Sequence, residues 1–118
     1  MSQAHKLLLH AISLRLHSAP SGGLENLARE LRVSRRTIER TVIRESGKTF
    51  RDLREEVLVE LVTAVFASHP TRPIKELSFD LGYNSARSFA RAVKRACGSS
   101  PEELRSRVIH ALLASHNA

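Results

Sequence analysis

The chain has 118 residues, 42% of them apolar, which suits one small domain with a modest core. No apolar run reaches the length of a membrane span, the first ten residues lack the features of a signal peptide, and the single cysteine, Cys97, excludes an internal disulfide and fits a reducing cytoplasm. The net charge of +7 favours a polyanionic partner, most often nucleic acid, although a solvated basic surface without a partner gives the same total.

Helical periodicity and turn residues predict three helices in the first part of the chain and no strand. The first predicted helix covers 4–17 and the second covers 24–31, where four apolar residues follow the i, i+3, i+4, i+7 spacing of one buried stripe. Ser34 has the character of an N-cap, so a third helix is predicted over 34–46 and should end at Gly47.

The second part predicts four more helices. A long apolar helix is expected over 50–68, followed by one that begins at Pro73 and ends near Leu81. Gly82 should form a turn before a sixth helix over 85–97, which stops at Gly98.

The last predicted helix begins with a capping box. Ser100 can cap the helix while Glu103 reaches back to it. This helix should cover at least 101–107, and the apolar residues of 108–113 are expected to pack and to extend it to about 114.

Charge is concentrated in two blocks. Residues 34–51 and residues 84–107 each hold six basic and two acidic residues, whereas 52–83 holds three basic and six acidic residues. Two basic blocks that flank an acidic middle are more specific than a uniform excess, and they point to two separate cationic surfaces.

The two basic blocks belong to an internal repeat. Residues 24–31 match 74–81 at an offset of 50, and 34–47 match 85–98 at an offset of 51. Each copy is a helix, a tight turn and a second helix. In the second helix, arginines spaced i, i+4 and i+8 form one row, with apolar residues on the opposite side that should be core; the rows are Arg36, Arg40, Arg44 and Arg87, Arg91, Arg95, and the apolar residues are Ile38, Val42, Phe89 and Val93.

A helix with one packed face and one cationic face is what entry into the major groove of DNA requires. The packed face sets the angle of the helix, and the cationic face offers donors to phosphates and base edges. Two copies of this arrangement favour recognition of double-stranded DNA over a merely solvated surface.

At these residues the sequence resembles the AraC/XylS family of bacterial transcription regulators. The second copy carries the stronger match, through Gly82-Tyr83, Phe89 followed by Arg91, Lys94-Arg95 and Gly98-Ser99-Ser100-Pro101. The first copy resembles the family through Leu27-Ala28, Leu31 and Val33-Ser34-Arg35-Arg36. Ser78 and Val93 depart from the family's usual Ala and Phe, so looser packing is expected at Val93.

The resemblance implies an all-α, homeodomain-like fold of about seven helices in a single AraC-type DNA-binding domain over 1–118. Subdomain one would cover 4–48 with a helix-turn-helix at 24–46, and 50–68 would be the linker helix. Subdomain two would cover 73–107 with a helix-turn-helix at 73–97, followed by a C-terminal extension over 108–118. Most family members also carry an effector-binding or dimerisation domain; these 118 residues do not include one, and a stand-alone short member and a fragment of a longer protein both remain open.

The resemblance also assigns contact residues, with the two recognition helices entering successive major grooves. The candidates for base contacts are Arg35, Arg36, Thr37, Glu39 and Arg40 in the first groove and Ser85, Ala86, Arg87, Ser88 and Arg91 in the second. The candidates for phosphate contacts are Ser34, Arg44, Lys48, Arg51, Lys94 and Arg95. For Arg36 and Arg40, pairing with guanine and contact with phosphate both remain open.

Other functions receive less support. The six histidines do not form a metal site at helical spacing, and there is no glycine-rich phosphate loop or nucleophile motif, so neither an enzyme nor a cofactor or metal is expected. A protein-interaction adaptor that uses the acidic middle and the apolar tail, and an RNA-binding module, are the rival interpretations. The expected partner is promoter DNA in a bacterial cytoplasm, bound by a monomer at the nucleoid; RNA polymerase and a weak dimer through the C-terminal tail are further candidates.

Overall fold

A computed structural model describes the backbone of residues 2–117 and the side chains of residues 3–115; Met1 and Ala118, which the predicted domain includes, lie outside it. The described residues form seven α-helices joined by short loops, which confirms the all-helical prediction. The helices are α1 Ser2–Ser18, α2 Leu24–Leu31, α3 Arg35–Ser46, α4 Phe50–Ser68, α5 Ile74–Asp80, α6 Ala86–Cys97 and α7 Pro101–Asn117.

Most helix bounds agree with the predicted ones to within one or two residues. Ser34 and Pro73 each have extended backbone at the N-cap, so α3 and α5 begin one residue later than predicted. Helix α7 is longer than predicted and continues to Asn117. Across 2–117, no helix combines the length and the apolar character that crossing a membrane requires.

The chain divides into two compact units, Met1–Val57 and Leu58–Ala118. The boundary falls inside α4, so its first two turns belong to unit 1 and the remaining turns to unit 2. A helix that serves both units is consistent with the predicted linker helix.

Unit 1 buries aliphatic side chains of α1, α2 and α3. Ile12, Ile38 and Val42 are inaccessible to solvent, and Leu16 and Leu27 are nearly so. These residues lie at three- and four-residue spacings on their helices, so each helix buries one stripe. The packed stripes hold α3 in place from its inner side.

Unit 2 has a more aromatic core. Phe66 of α4 and Phe89 of α6 are fully buried together with Val62, Leu77 and Val93. The ring of Tyr83 lies 5.4 Å from that of Phe89 in a tilted arrangement. Val93 is completely buried, and the looser packing expected there stays a prediction.

Ser78, which also differs from the family's usual residue, is buried and its hydroxyl is hydrogen-bonded. Ser78 of α5 is fully buried, and its hydroxyl donates a hydrogen bond of 2.6 Å to the carbonyl of Lys75. Satisfying the hydroxyl within its own helix removes most of the cost of placing a polar atom in the core.

The internal repeat is longer in the structure than in the sequence motifs. At an offset of 50, the buried residues Ile12 and Leu16 of α1 match the buried Val62 and Phe66 of α4. At an offset of 51, the start of α4 matches the start of α7. Each unit therefore consists of three helices followed by the first turns of a fourth.

In each unit, an arginine of the fourth helical segment donates a hydrogen bond to a backbone carbonyl of that unit. In unit 1, Nη1 of Arg54 donates to the carbonyl of Gly22 at 3.5 Å. In unit 2, Nη1 of Arg105, which follows Arg54 by 51 residues, donates to the carbonyl of Arg72 at 3.3 Å. Arg105 also lies 5.8 Å from the centre of the Phe66 ring, so it is a packing residue rather than a plain surface charge.

The apolar tail of α7 differs from its prediction. Val108 packs against the core of unit 2, but Leu112 and Leu113 are 44% and 54% exposed. The expectation that the tail packs is therefore wrong for these two leucines, because no described element of the chain covers that part of the helix.

Candidate nucleic-acid interface

Serine caps begin both predicted recognition helices. The Ser34 hydroxyl accepts a hydrogen bond from the Thr37 amide at 3.0 Å, and the Ser85 hydroxyl accepts one from the Ser88 amide at 3.1 Å. A glycine in the left-handed conformation ends each helix, Gly47 at φ 75° and Gly98 at φ 79°. These local signals give α3 and α6 the same length of 12 residues.

The turns that precede the two helices use different residues. In unit 1 the left-handed position at the end of α2 is occupied by Arg32, with φ 56°. In unit 2 it is occupied by Gly82, with φ 92°, and the turn is one residue longer. After either turn the short helix packs against the recognition helix, α2 against α3 and α5 against α6.

Each recognition helix has one buried face and one exposed cationic face. On α3, Ile38 and Val42 are fully buried, and on α6 Phe89 and Val93 are fully buried. The residues of both arginine rows are exposed: Arg36, Arg40 and Arg44 on α3, and Arg87, Arg91 and Arg95 on α6. The orientation that the sequence predicted for these two faces is present in both units.

The row arginines share one electrostatic property, which is that none of them is paired with a carboxylate among the described residues. Among the described residues, several arginines and lysines pair with carboxylates, including Arg15 with Glu30 and Arg72 with Asp80. No such ion pair involves the six row arginines in the part of the chain that the structure describes. Their positive charge is thus directed to solvent and available to a polyanion.

Three other predicted contact residues already have carboxylate partners. Arg35 lies 3.5 Å from Glu25, Arg51 lies 3.2 Å from Glu55 one turn along α4, and Lys48 pairs with Glu56. Exposed pairs of this kind are weak, of order 0–1 kcal/mol, so a phosphate can compete for the cation. Arg35, Lys48 and Arg51 are nevertheless weaker candidates for DNA contacts than the row arginines.

The serine and threonine residues among the predicted base and phosphate contacts form hydrogen bonds within the helix caps. The hydroxyls of Ser34 and Thr37 lie 2.9 Å apart, and the Ser88 hydroxyl donates to the carbonyl of Ser85 at 3.0 Å. Ala86 is only partly exposed, whereas Glu39 is exposed. The geometry therefore places most of the free donors on the arginine rows.

An open groove runs beside each row. In unit 1 it has a volume of about 460 Å³ and is lined by Thr37, Arg40, Thr41, Arg44 and His5. In unit 2 it has a volume of about 550 Å³ and is lined by Arg87, Ala90, Arg91, Lys94, Arg95 and Ser100. The lining of the first groove is mainly polar and that of the second is mainly apolar, although arginine side chains line both.

His5 is a groove residue that the motifs did not identify as a contact. Nε2 of His5 lies 3.4 Å from Nη1 of Arg44, which brings the start of α1 to the end of the first row. No local pattern signals this approach, since it depends on the packing of α1 against α3.

The capping box at α7 is formed as predicted. The Ser100 amide donates to Oε1 of Glu103 at 2.8 Å, and the Glu103 amide donates to the Ser100 hydroxyl at 3.1 Å. The hydrogen bond from the Ser100 backbone, followed by that from its side chain, lowers the pKa of Glu103 below its ordinary value. The positive charges of Lys94 and Arg107 act in the same direction.

Comparisons with known proteins agree with this geometry. A family described as "Helix-turn-helix domain" matches residues 27–107, which is more than half of the chain. No curated protein sequence matches. Within the described residues, no group of three or more histidine, cysteine, aspartate or glutamate side chains is arranged to hold a metal ion.

Solved structures of similar fold come from several bacteria. The C-terminal domain of AraT, a response regulator from Geobacillus stearothermophilus, has a TM-score of 0.71 and 26% identity, covering 85% of this chain and 84% of that one. A transcriptional regulator from Chromobacterium violaceum, whose description reads "AraC-type DNA-binding domain-containing proteins", has a TM-score of 0.66 and 18% identity. The match covers 92% of this chain and 96% of that one. The C-terminal domain of the two-component response regulator yesN from Fusobacterium nucleatum has a TM-score of 0.70 and 16% identity, covering 87% and 98%.

The duplicated helix-turn-helix, the exposed arginine rows and the family match over residues 27–107 lead to one assignment. The chain belongs to the AraC-type family of helix-turn-helix domains, the family and fold of DNA-binding transcription regulators.

Proposed function

We propose that this chain recognises a specific sequence in double-stranded DNA by placing α3 and α6 in major grooves. The observation that carries the proposal is the duplicated amphipathic helix: each unit buries the inner face of its recognition helix and exposes three arginines that form no carboxylate ion pair among the described residues. Fixed orientation together with available donors is the requirement for reading base edges.

Within each row, position suggests a division of roles. The residues nearest the N-terminus of a recognition helix are the ones that reach base edges in helix-turn-helix proteins. Arg36 and Arg40 on α3, with Arg87 and Arg91 on α6, are accordingly proposed to contact bases, together with Arg35 and Glu39. Arg44, Lys94 and Arg95 lie in the last turns and are proposed to hold phosphates, as are Lys48 and Arg51 once they leave their carboxylate partners.

The target sequence can be identified by selecting bound fragments from a random duplex library with the full chain. Affinity is then measured against salt on the selected duplex and on a random duplex. If roughly six to ten phosphates are contacted, log K falls with log salt at a slope of about −5 to −9. Enrichment of no sequence, with equal affinity for both duplexes, would contradict sequence-specific recognition.

Variants of α6 separate base contacts from phosphate contacts. Arg91→Ala should lose about 1–3 kcal/mol on the selected duplex and little on the random one, which relaxes the preference. Lys94→Ala should weaken both duplexes alike and reduce the salt slope by about 1. The control is Arg15→Gln, which removes an exposed positive charge outside both rows. Equal losses on both duplexes from Arg91→Ala and Lys94→Ala would contradict the division of roles.

The same measurements decide between the proposal and its rivals. An RNA-binding module would prefer single-stranded RNA of matching length to the duplex, and it would be expected to use exposed aromatic side chains for stacking. A protein-interaction adaptor would bind DNA weakly and would lose nothing when the rows are neutralised. The duplex is favoured because both units repeat one arrangement, in which three exposed arginines lie on the helix face opposite the buried one.

A further inference from the structure

The C-terminal half of α7 has the sequence register of a buried helix but not its burial. At an offset of 51, Leu58, Leu61 and Val62 of α4 match Ile109, Leu112 and Leu113 of α7. Leu58 and Val62 are 2% and 0% exposed, because α4 enters the core of unit 2. Their counterparts in α7 are less covered, since Ile109 is only partly buried and Leu113 is 54% exposed.

Val108 packs against the core of unit 2, but the helix continues beyond it to residues such as Leu112 and Leu113, which no described element covers. Residues Val108–Asn117 add about 15 Å of helix beyond the family match, which ends at Arg107. An isolated helical segment of this length is marginal in water, and most helical stability in proteins comes from packing of an apolar face. An exposed apolar stripe on such a segment suggests a surface that contacts another molecule.

We infer that the α7 segment from Ile109 to Ser115 is a self-association surface, which packs against the same segment of a second copy of this chain. The charge pattern favours a second copy of this chain as the partner. The segment 108–117 contains no lysine, arginine, aspartate or glutamate, whereas the chain as a whole carries a net charge of +7. Two copies repel each other over most of their basic surface, and the neutral tail is where that repulsion is least.

A symmetric contact also fits the composition of the tail. In a two-fold dimer the same residues meet on both copies, so leucine packs on leucine and no complementary charge is needed. An acidic partner protein would be drawn to the arginine rows instead. Two short helical segments bury far less than the roughly 1,200 Å² of a stable interface, so the pair is weak and forms at high local concentration.

The test is sedimentation equilibrium of the full chain without DNA, from about 10 µM to about 1 mM, the range in which small interfaces associate. The expected result is a monomer–dimer equilibrium. Leu113→Glu should reduce the association constant at least tenfold, and Leu113→Ala, which adds no charge, should reduce it several-fold. The matched control is Leu14→Glu on α1, where the leucine is 56% exposed, and it should leave the equilibrium unchanged.

Far-ultraviolet circular dichroism and the melting temperature verify that the variants stay folded, as expected for exposed positions. A chain that remains monomeric at about 1 mM would overturn the inference, and so would equal effects of Leu113→Glu and Leu14→Glu. Titration of a short duplex with one site separates this result from the proposed function. Failure to bind that duplex would count against DNA recognition and leave the association measurement unaffected.

Discussion

The two units place the same exposed arginine row on scaffolds of different chemistry. Helix α3 carries Glu39 and Glu45 among its arginines, whereas α6 has four basic residues and no acidic one. The buried face of α3 is aliphatic, and that of α6 includes Phe89 against Tyr83. Duplication has therefore preserved the geometry of the cationic face while the core and the charge balance diverged, because packing requires only that volume and polarity be maintained.

The aromatic core of unit 2 should make it the more sensitive unit to truncation. Phe89→Ala is expected to lower the free energy of unfolding by about 3–5 kcal/mol, and Ile38→Ala in unit 1 by about 2–5 kcal/mol. Hydrogen exchange should show lost protection mainly in 58–115 for the first variant and in 2–57 for the second. Uniform loss of protection across the chain in both variants would instead mean that α4 couples the two units into one cooperative body.

The two turns should respond in opposite ways to a change at the left-handed position. Gly82→Ala forces a Cβ into φ 92° and should cost about 1–2 kcal/mol of unfolding free energy. Arg32→Gly relieves φ 56° but makes the unfolded chain more flexible, so a net gain of about 0.5 kcal/mol is expected. Urea denaturation measures both.

Gly23→Ala is the control for these turn variants, since Gly23 has φ −82° and no atom lies within 4 Å of an added Cβ. Its effect should be smaller than that of Gly82→Ala. If Arg32→Gly were strongly destabilising, Arg32 would have a role that backbone conformation does not explain.

The matching arginines Arg54 and Arg105 should contribute unequally. Arg105→Ala loses a hydrogen bond and the contact with the Phe66 ring, so a loss of about 1 kcal/mol is expected. Arg54→Ala loses a hydrogen bond at the limit of 3.5 Å and should cost about 0.5 kcal/mol. Thermal unfolding of the two variants and of Arg105→Lys compares them. Equal losses would mean that the ring contact contributes nothing.

The smallest expected effect is the pH dependence of the α7 cap. Because the pKa of Glu103 is lowered in the folded chain, its stabilising effect is present above the unfolded pKa of glutamate and is lost as pH falls through the lower folded value. Glu103→Gln should remove this component of the acid dependence. A carboxyl titration by NMR gives the direction of the Glu103 shift directly. A Glu103 pKa above its ordinary value would contradict the hydrogen-bonded cap.

Much of the candidate site could be predicted because its signals are local. Serine caps, terminal glycines and the four-residue spacing of arginines act within one helix, so α3 and α6 appear at nearly the predicted bounds. The sequence did not predict which groups bond to the hydroxyls of Thr37 and Ser88, or which carboxylates pair with Lys48 and Arg51. These contacts depend on rotamers and on the approach of neighbouring groups.

By itself the sequence determined the seven helices, the duplicated helix-turn-helix and the side of each recognition helix that is cationic. Tertiary structure decided which residues are covered: the polar Ser78 is buried, whereas Leu112 and Leu113 are exposed despite matching the register of α4. It also brought His5 of α1 to Arg44 of α3. The physical reason is that helix formation and capping are properties of neighbouring residues, while burial depends on whether a distant element lies against the surface.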